Sequence, residues 1–279
     1  MEPATWYLGP LGNVRALEVP EPGIGITLTR FGGFHQGLSG ARTLDVTGHR
    51  YSYSFEWRNL DPSEYQWLEA LHARLIQGPF RLLNPMKKNR LSVQASTLVI
   101  AGTQGGITGN PGTYRYETDW PNAAGAGARS LRISTFGEEA FTRFDDAIPT
   151  PVLPDEEITV SLYLKGEAAT SVELCLDWYG VSRQDYLSTS ARYPVAVTTS
   201  WERFSFTITP PAGAGGAVLN FVNQDDTQPV RLAAPQIEPG DTATAFEVGG
   251  GSPVVLLDQL SGSSRIFPLT DCSLTLMEA

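Results

Sequence analysis

Lysine is scarce: Lys87, Lys88 and Lys165 are the only ones in 279 residues, and the other 17 basic residues are arginine. Acidic residues outnumber basic ones 30 to 20, for a formal charge of −10. A surface of that sign repels a phosphate backbone, and no local basic patch offsets it, so no nucleic-acid binding is expected. Cysteine is nearly absent too. Cys175 and Cys272 stand 97 positions apart, which excludes a disulfide scaffold, a CxxC redox motif and a cysteine zinc cluster. Each lies in an alternating apolar stretch and is expected to be a small buried side chain. No run approaches the ~18 apolar residues of a membrane span, so no membrane insertion is expected. The opening Met1–Thr5 carries neither a basic nor an apolar region, so no secretory signal is expected.

The usual catalytic signatures are missing as well. There is no HExxH and no Walker phosphate loop. Gly37-Leu38-Ser39-Gly40-Ala41 is one glycine short of a nucleophile elbow, and Gly23-x-Gly25 lacks the third glycine and helix of a dinucleotide site. The three histidines, His35, His49 and His72, lack metal-ligand spacing. Asp145-Asp146 and Asp155-Glu156-Glu157 read as solvated acidic turns or calcium ligands rather than a glycosidase pair. The chain is therefore expected not to be an enzyme and to need no cofactor, with a structural calcium as the one ion to look for.

What is abundant is turn chemistry. Glycine and proline make up 48 residues, spread along the whole chain, which is the texture of many short strands. Period-2 patterns recur: Ile24, Ile26, Leu28; then Tyr51, Tyr53, Phe55, Trp57 against Ser52, Ser54, Glu56, Arg58. One helix is predicted. Asp61 caps it, Pro62 fits its first turn, and Glu64 completes a capping box. Tyr65, Leu68, Leu71, His72 and Leu75 then recur at helical spacing until Gly78-Pro79. That stripe reads as a helix lying on a sheet, with His72 packed rather than ligating.

Phe80–Pro85 reads as a strand and turn, and Leu91–Ile100 as extended. The glycine-rich stretch 97–112 reads as a linker. Beyond it, Leu131/Ile133, Ile158–Leu164, Val172–Trp178, Phe204–Ile208, Val218–Val222 and Val230–Ala234 predict an antiparallel β-sandwich. Gly249–Pro253 reads as a hinge. The 27 residues after it are too few to be stable alone, so they must complete another domain's sheet. The expected organisation is one discontinuous domain of residues 1–96 and 253–279, into which residues 113–248 are inserted, with linkers at 97–112 and 249–252.

Parity on the strand from Val172 sends Val172, Leu174, Leu176 and Trp178 to one side and Glu173, Cys175, Asp177 and Tyr179 to the other. Arg183 and Tyr186 follow in a loop. Carboxylate, guanidinium and tyrosine beside a sheet can hold sugar hydroxyls and offer a ring to C–H faces. Glu173, Asp177, Tyr179, Arg183 and Tyr186 are thus the candidate carbohydrate-binding residues, weighed against an ordinary solvated face. Arg183 would serve an anionic polymer as well as hydroxyls. Trp120 and Trp201 are expected to pack at strand ends.

Two stretches carry a family resemblance. Gly78-Pro79-Phe80-Arg81-Leu82-Leu83-Asn84-Pro85 with Asn89-Arg90-Leu91, the capped helix before them and the closing Asp271–Glu278 resemble distal and minor tail proteins of long-tailed phages of actinobacteria. Ser200-Trp201-Glu202-Arg203-Phe204, the ending Ala234-Pro235-Gln236-Ile237-Glu238-Pro239-Gly240 and Ala243-Thr244-Ala245-Phe246 resemble jelly-roll carbohydrate-binding modules. The resemblance implies a mainly β fold: a tail-tube-like β-sandwich or barrel with one α-helix, plus an inserted antiparallel jelly roll. It further implies a virion protein of the tail tip, made in the host cytoplasm without a signal peptide. Such a protein forms a ring, usually a hexamer, whose partners are the tail tube, the tip hub and the tape-measure protein. A host cell-wall glycan would be the partner of the insert. Arg42, Arg50 and Arg58, on or beside the early strands, are candidate inter-subunit ion-pair residues. The alternative is a free-standing carbohydrate-binding adhesin, or the accessory module of a polysaccharide-degrading enzyme.

Overall fold

The computed structural model describes residues 5–37, 39–45, 48–100, 106–110, 112–121, 129–135, 141–223 and 228–279. The chain divides into two compact units. Unit 1 comprises Met1–Pro10, Arg15–Leu82 and Pro253–Ala279; unit 2 comprises Leu11–Val14 and Leu83–Ser252.

Unit 1 holds β1 (Tyr7–Pro10), β2 (Arg15–Ala16), β3 (Gly25–Phe31), β4 (Phe34–Gln36), β5 (Arg42–Leu44), β6 (Gly48–Leu60), α1 (Pro62–His72), β7 (Phe80–Leu83), β20 (Val254–Ser263) and β21 (Thr270–Glu278). Its main sheet runs β2-β1-β7-β20-β21-β6-β3, so the last two strands of the chain occupy the middle of the sheet. The period-2 pattern of β6 explains its place there: Tyr53, Phe55 and Trp57 are buried while Ser54, Glu56 and Arg58 point out. Trp6, Leu8, Leu68, Leu71 and Leu276 join them in one core. Helix α1 starts where Asp61 accepts hydrogen bonds from Ser63 N (2.8 Å) and Ser63 Oγ (2.6 Å), a cap made to Ser63 and not through Glu64. The helix buries Trp67, Leu68 and Leu71. His72 and Leu75, expected on the packed stripe, are exposed. The stripe ended one turn earlier than its spacing implied, and Trp67 took the place of its outer members.

Unit 2 holds α2 (Val93–Ser96), β8 (Ile107–Asn110), β9 (Gly112–Glu117), β10 (Ser130–Thr135), β11 (Phe141–Phe144), β12 (Thr150–Pro151), β13 (Ile158–Gly166), β14 (Thr170–Tyr179), β15 (Tyr186–Thr189), β16 (Tyr193–Val197), β17 (Glu202–Ile208), β18 (Gly216–Asn223) and β19 (Val230–Pro239). They form a jelly-roll sandwich of two antiparallel sheets. One sheet runs β17-β13-β19-β10-β9. The other runs β15-β14-β18-β11-β8, with β16 also paired to β14 and β12 to β18. The inner faces are the residues that alternate in sequence: Val160, Leu162 and Leu164 from β13 meet Leu174, Leu176 and Trp178 from β14 and Leu219 and Phe221 from β18. Trp178 is a core residue.

Several sequence-based boundaries move. Residues 83–96 belong to unit 2, because their buried polar groups bond within it. Asn89 is fully buried, donates from Nδ2 to Pro235 O (3.1 Å) and Glu247 O (2.9 Å), and accepts from Ile237 N (3.2 Å). Arg90 is held by Glu156 through two contacts of 2.5 and 2.7 Å. The stretch read as extended contains α2, capped by Ser92 Oγ, which accepts from Ala95 N. The expected linker at 97–112 contains β8; its residues 101–105 and 111 lie outside the described ones. Nor are residues 249–252 a hinge. Gly249, Gly251 and Ser252 are buried, Gly249 N donates to Ser96 Oγ (2.8 Å), and a Cβ at Gly249 would meet the Leu91 and Ser92 carbonyls. The glycines are there for close backbone approach, not for flexibility. Ser264–Leu269 is the turn between β20 and β21. Gly37–Ala41 forms the β4–β5 turn, Leu38 lying outside the described residues. Among the described residues, no helix is long and apolar enough to cross a membrane.

Candidate functional site on the outer face of the jelly roll

The register of β14 with its neighbours decides which side chains share the outer face. Cys175 lies opposite Asn220, Asp177 opposite Val218, and Tyr179 opposite Gly216. On the far side of β18, Asn220 lies opposite Arg143 and Val222 opposite Phe141. Three strands distant in sequence thus bring Arg143, Asn220 and Cys175 into one row, with Asp177 on the same face two residues along β14. On the other edge, the β14–β15 pairing slips between Trp178 and Tyr179, so that Tyr186, not Leu187, faces Tyr179. The turn before β15 is closed by Gly180 N donating to Asp185 O and by the Asp185 carboxylate accepting from Val181 N (3.0 Å).

These placements build a connected network. Asp146 accepts from Arg183 through Oδ1 (2.6 Å) and through its backbone oxygen (2.6 Å), and lies 3.7 Å from Arg143. Arg143 reaches Asn220 Oδ1 (3.1 Å) and pairs with Asp177 at 3.4 Å. Asp177 also accepts from Thr189 Oγ1 (2.6 Å), whose oxygen bonds the Tyr186 hydroxyl at 2.8 Å. Arg183 lies over the Tyr179 ring, 4.5 Å from its centroid, and Tyr186 meets that ring edge-on at 5.8 Å. Burial pushes the Tyr179 phenol above its ordinary range, and the nearby Arg183 charge partly opposes that rise. Two guanidinium groups face two carboxylates, so the network is electrically balanced. It presents fixed donors and acceptors beside an exposed ring, the equipment for holding hydroxyls and a sugar's C–H face.

The five sequence candidates fare differently. Asp177, Tyr179, Arg183 and Tyr186 come together, but Tyr179 is only 1% exposed and serves as a floor; the platform is Tyr186, 53% exposed. Glu173 shares the face but lies four residues up the strand, ~13 Å away by strand rise, where Arg192 pairs with it at 3.2 Å. Arg183 is committed to Asp146, which argues against its use as a free cation for an anionic polymer. Sequence reasoning missed Arg143, Asp146, Thr189 and Asn220 as members of the site. Parity within Phe141–Phe144 would have put Phe141 and Arg143 on one face, but the pairing of β11 with β18 is not written in either strand.

The acidic turns are solvated only in part: Asp155 and Glu157 are exposed, but their neighbours Asp145 and Glu156 are engaged within the fold. Asp145 is 2% exposed and accepts from Ser92 N (2.7 Å), Ser92 Oγ (2.6 Å) and Gly106 N (3.0 Å), while Glu156 holds Arg90. Among the described residues, no group of three or more histidine, cysteine or acidic side chains gathers to hold a metal ion. Trp201 is half-buried, its Nε1 donating to Asp119, but Trp120 is 44% exposed, against the packing expected of it. Both cysteines are buried free thiols, pushed up to about 11 by burial. Arg42, Arg50 and Arg58 are all exposed, in β5 and β6 of unit 1. Arg58 lines a polar depression of about 420 Å³ together with Glu21, Glu56, Arg265 and Asp271.

No protein-family model matches the chain, and no curated protein matches it. Solved structures similar to it include tailspike protein 4 of bacteriophage CBA120 (17% identity, TM-score 0.41, 55% of this chain and 21% of that one). This chain thus spans about a fifth of the tailspike's. The CBM22-1 xylan-binding domain from Paenibacillus barcinonensis Xyn10C is similar at 15% identity and TM-score 0.38, over 55% of this chain and 94% of that one. A family 11 carbohydrate-binding module from Clostridium thermocellum, solved with a mixed-linked tetrasaccharide, is similar at 9% identity and TM-score 0.34, over 52% and 93%. Function is read from the side chains of the face itself.

Proposed function

We propose that this chain is a glycan-binding component of a phage tail tip. In this reading unit 2 binds host-wall carbohydrate, and unit 1 fixes it in a ring with the tail tube, hub and tape-measure proteins. The observation that carries the glycan half is the balanced network of Arg143, Asp146, Asp177, Arg183, Thr189 and Asn220 beside the exposed Tyr186 ring. A solvated face has no need to pair every charge and still leave an aromatic ring uncovered. The chain acts by binding, not by bond cleavage, and it works in the virion. The tail assignment is supported by the resemblance of the Phe80–Leu91 and closing segments to distal tail proteins. An accessory module of a polysaccharide-degrading enzyme would use the same face and lack the tail partners.

Affinity electrophoresis of the full chain through gels carrying purified host-wall polysaccharide tests the glycan half. Retardation that is lost in Tyr186→Ala supports it; equal mobility with and without every wall polysaccharide overturns it. Antibody labelling of intact tails tests the assembly half, and release of reducing sugar from walls would overturn the non-enzymatic reading.

A further inference from the structure

Unit 2 includes one short segment from far away in sequence, Leu11–Val14. Glycine sets its place. Gly12 has a φ of +73°, and a Cβ there would stand 3.0 Å from Val181 Cγ1 and 3.2 Å from Gly180 O. A Cβ on Gly215 would overlap the Gly12 backbone and press on Gly180 O as well. A Cβ on Gly216 would stand 3.1 Å from both Leu11 Cδ atoms and 3.0 Å from Pro149 Cβ. Leu11 is accordingly buried. Backbone meets backbone here at a distance that only glycine permits. The segment is thus seated where β14 ends and β18 begins.

That place is the root of the glycan face. Gly216 lies opposite Tyr179, the floor of the site, and Gly215 N donates to Tyr179 O (2.8 Å). Gly180 and Val181 open the turn that carries Arg183. Within it Gly180 N donates to Asp185 O (2.8 Å), Asp185 N to Ser182 O (3.0 Å), and Val181 N to the Asp185 carboxylate (3.0 Å). Bonds internal to a turn fix its shape but not its tilt over the sheet. Arg183 ties the far end of the turn to Asp146. Leu11 and Gly12 prop its root.

We propose that Leu11–Gly12 is a positioning element of the glycan site: by propping the root of the 180–185 turn, it sets where Arg183 stands over the Tyr179 ring. It acts on the ligand only through Arg183. A group that holds a ligand works only when kept within about 0.5 Å of its productive place, and supports built from packed backbone hold that tolerance best. Arg183 stands 4.5 Å from the ring centroid, and a turn that tilts at its root carries the guanidinium away from both the ring and Asp146. The inference rests on the glycan half of the reading above and is independent of the assembly half.

Variants of the full chain test it by two readouts. Gly215→Ala forces the Gly12 backbone away, whereas Gly213→Ala, two residues earlier at a φ of +84°, adds a Cβ with nothing within 4 Å. The second change strains the backbone without displacing the segment. In NMR spectra the Arg183 Nε–H resonance should move in Gly215→Ala and stay in place in Gly213→Ala. In gels carrying purified host-wall polysaccharide, affinity should fall about tenfold in Gly215→Ala and stay within about twofold of wild type in Gly213→Ala. Thermal melts show that each variant is folded at the temperature of measurement. Leu11→Ala removes the side chain facing Gly216 and adds no bulk, so it carries the same test where Gly215→Ala melts too low. An Arg183 resonance unmoved by both changes, or retardation equal to wild type in both, would overturn the proposal. A wild-type chain that no wall polysaccharide retards would overturn the glycan reading, and this proposal with it, even where the Arg183 resonance moves.

Discussion

At the scale of single residues, the site divides its labour between one exposed ring and several fixed polar groups. Tyr186→Ala removes the platform without touching the core, so glycan affinity should fall roughly tenfold, about 1.4 kcal/mol, with the melting temperature unchanged. Calorimetric titration beside a thermal melt separates the two. Asp146 acts at one remove: it holds Arg183 and stands beside Arg143. Asp146→Asn should weaken binding several-fold, and Asp146→Glu should restore part of it; equal affinity in all three would deny Asp146 a positioning role. Cys175 lies under the same face, 3% exposed, with its thiol pushed up to about 11. Between the ordinary thiol value near 9 and about 11, the unfolded chain has lost that proton and the folded one has kept it. Stability therefore falls as pH rises through that window, and neither Cys175 nor Cys272 should react with a thiol reagent at pH about 8 until the chain unfolds. Rapid alkylation of the native protein would contradict the burial of both.

Among the elements, the best-read ones were those whose pattern is local. Strands β6, β13 and β14 announce their buried faces by alternation, and α1 announces its start by Asp61 and Pro62. What alternation could not show was the work of polar residues. Asn89 and Arg90 look like part of the strand-and-turn before them, yet their partners are Pro235, Ile237, Glu247 and Glu156. The ending Gln236-Ile237-Glu238 was legible as a jelly-roll terminus. Its physics is a buried carboxylate: Glu238 accepts from Gln236 Nε2 (2.7 Å), Thr244 N (2.9 Å) and Thr244 Oγ1 (2.6 Å). Gly249–Ser252 misled because glycine serves both flexible hinges and tight backbone approach. The Arg90–Glu156 pair is largely buried, so Glu156→Ala leaves a guanidinium without its partner. That should cost about 3 kcal/mol, read as a lower denaturation midpoint for unit 2. A midpoint unchanged from wild type would show that the pair contributes nothing.

For the molecule as a whole, the sequence carried the two-unit plan but misplaced its seam. The closing strands were readable as too short to stand alone, and they lie between β7 and β6. Removing residues 253–279 takes two central strands from unit 1, so a chain ending at Ser252 should show the cooperative melt of unit 2 only. Two full transitions in that truncated chain would contradict the shared sheet. The site was half legible: parity gave one strand of the face, whereas the Arg143–Asn220–Asp177 cluster depends on pairings among strands far apart in sequence. The central claim is that this cluster, with Tyr186, is where the chain meets a glycan. Amide chemical shifts of the full chain, followed by NMR as a wall oligosaccharide is added, test it most directly. Shifts confined to β11, β14, β15 and β18, with Thr189 and Asn220 among the largest, are the predicted result; shifts centred on the β9–β10–β17 face, or none at saturating ligand, would contradict it.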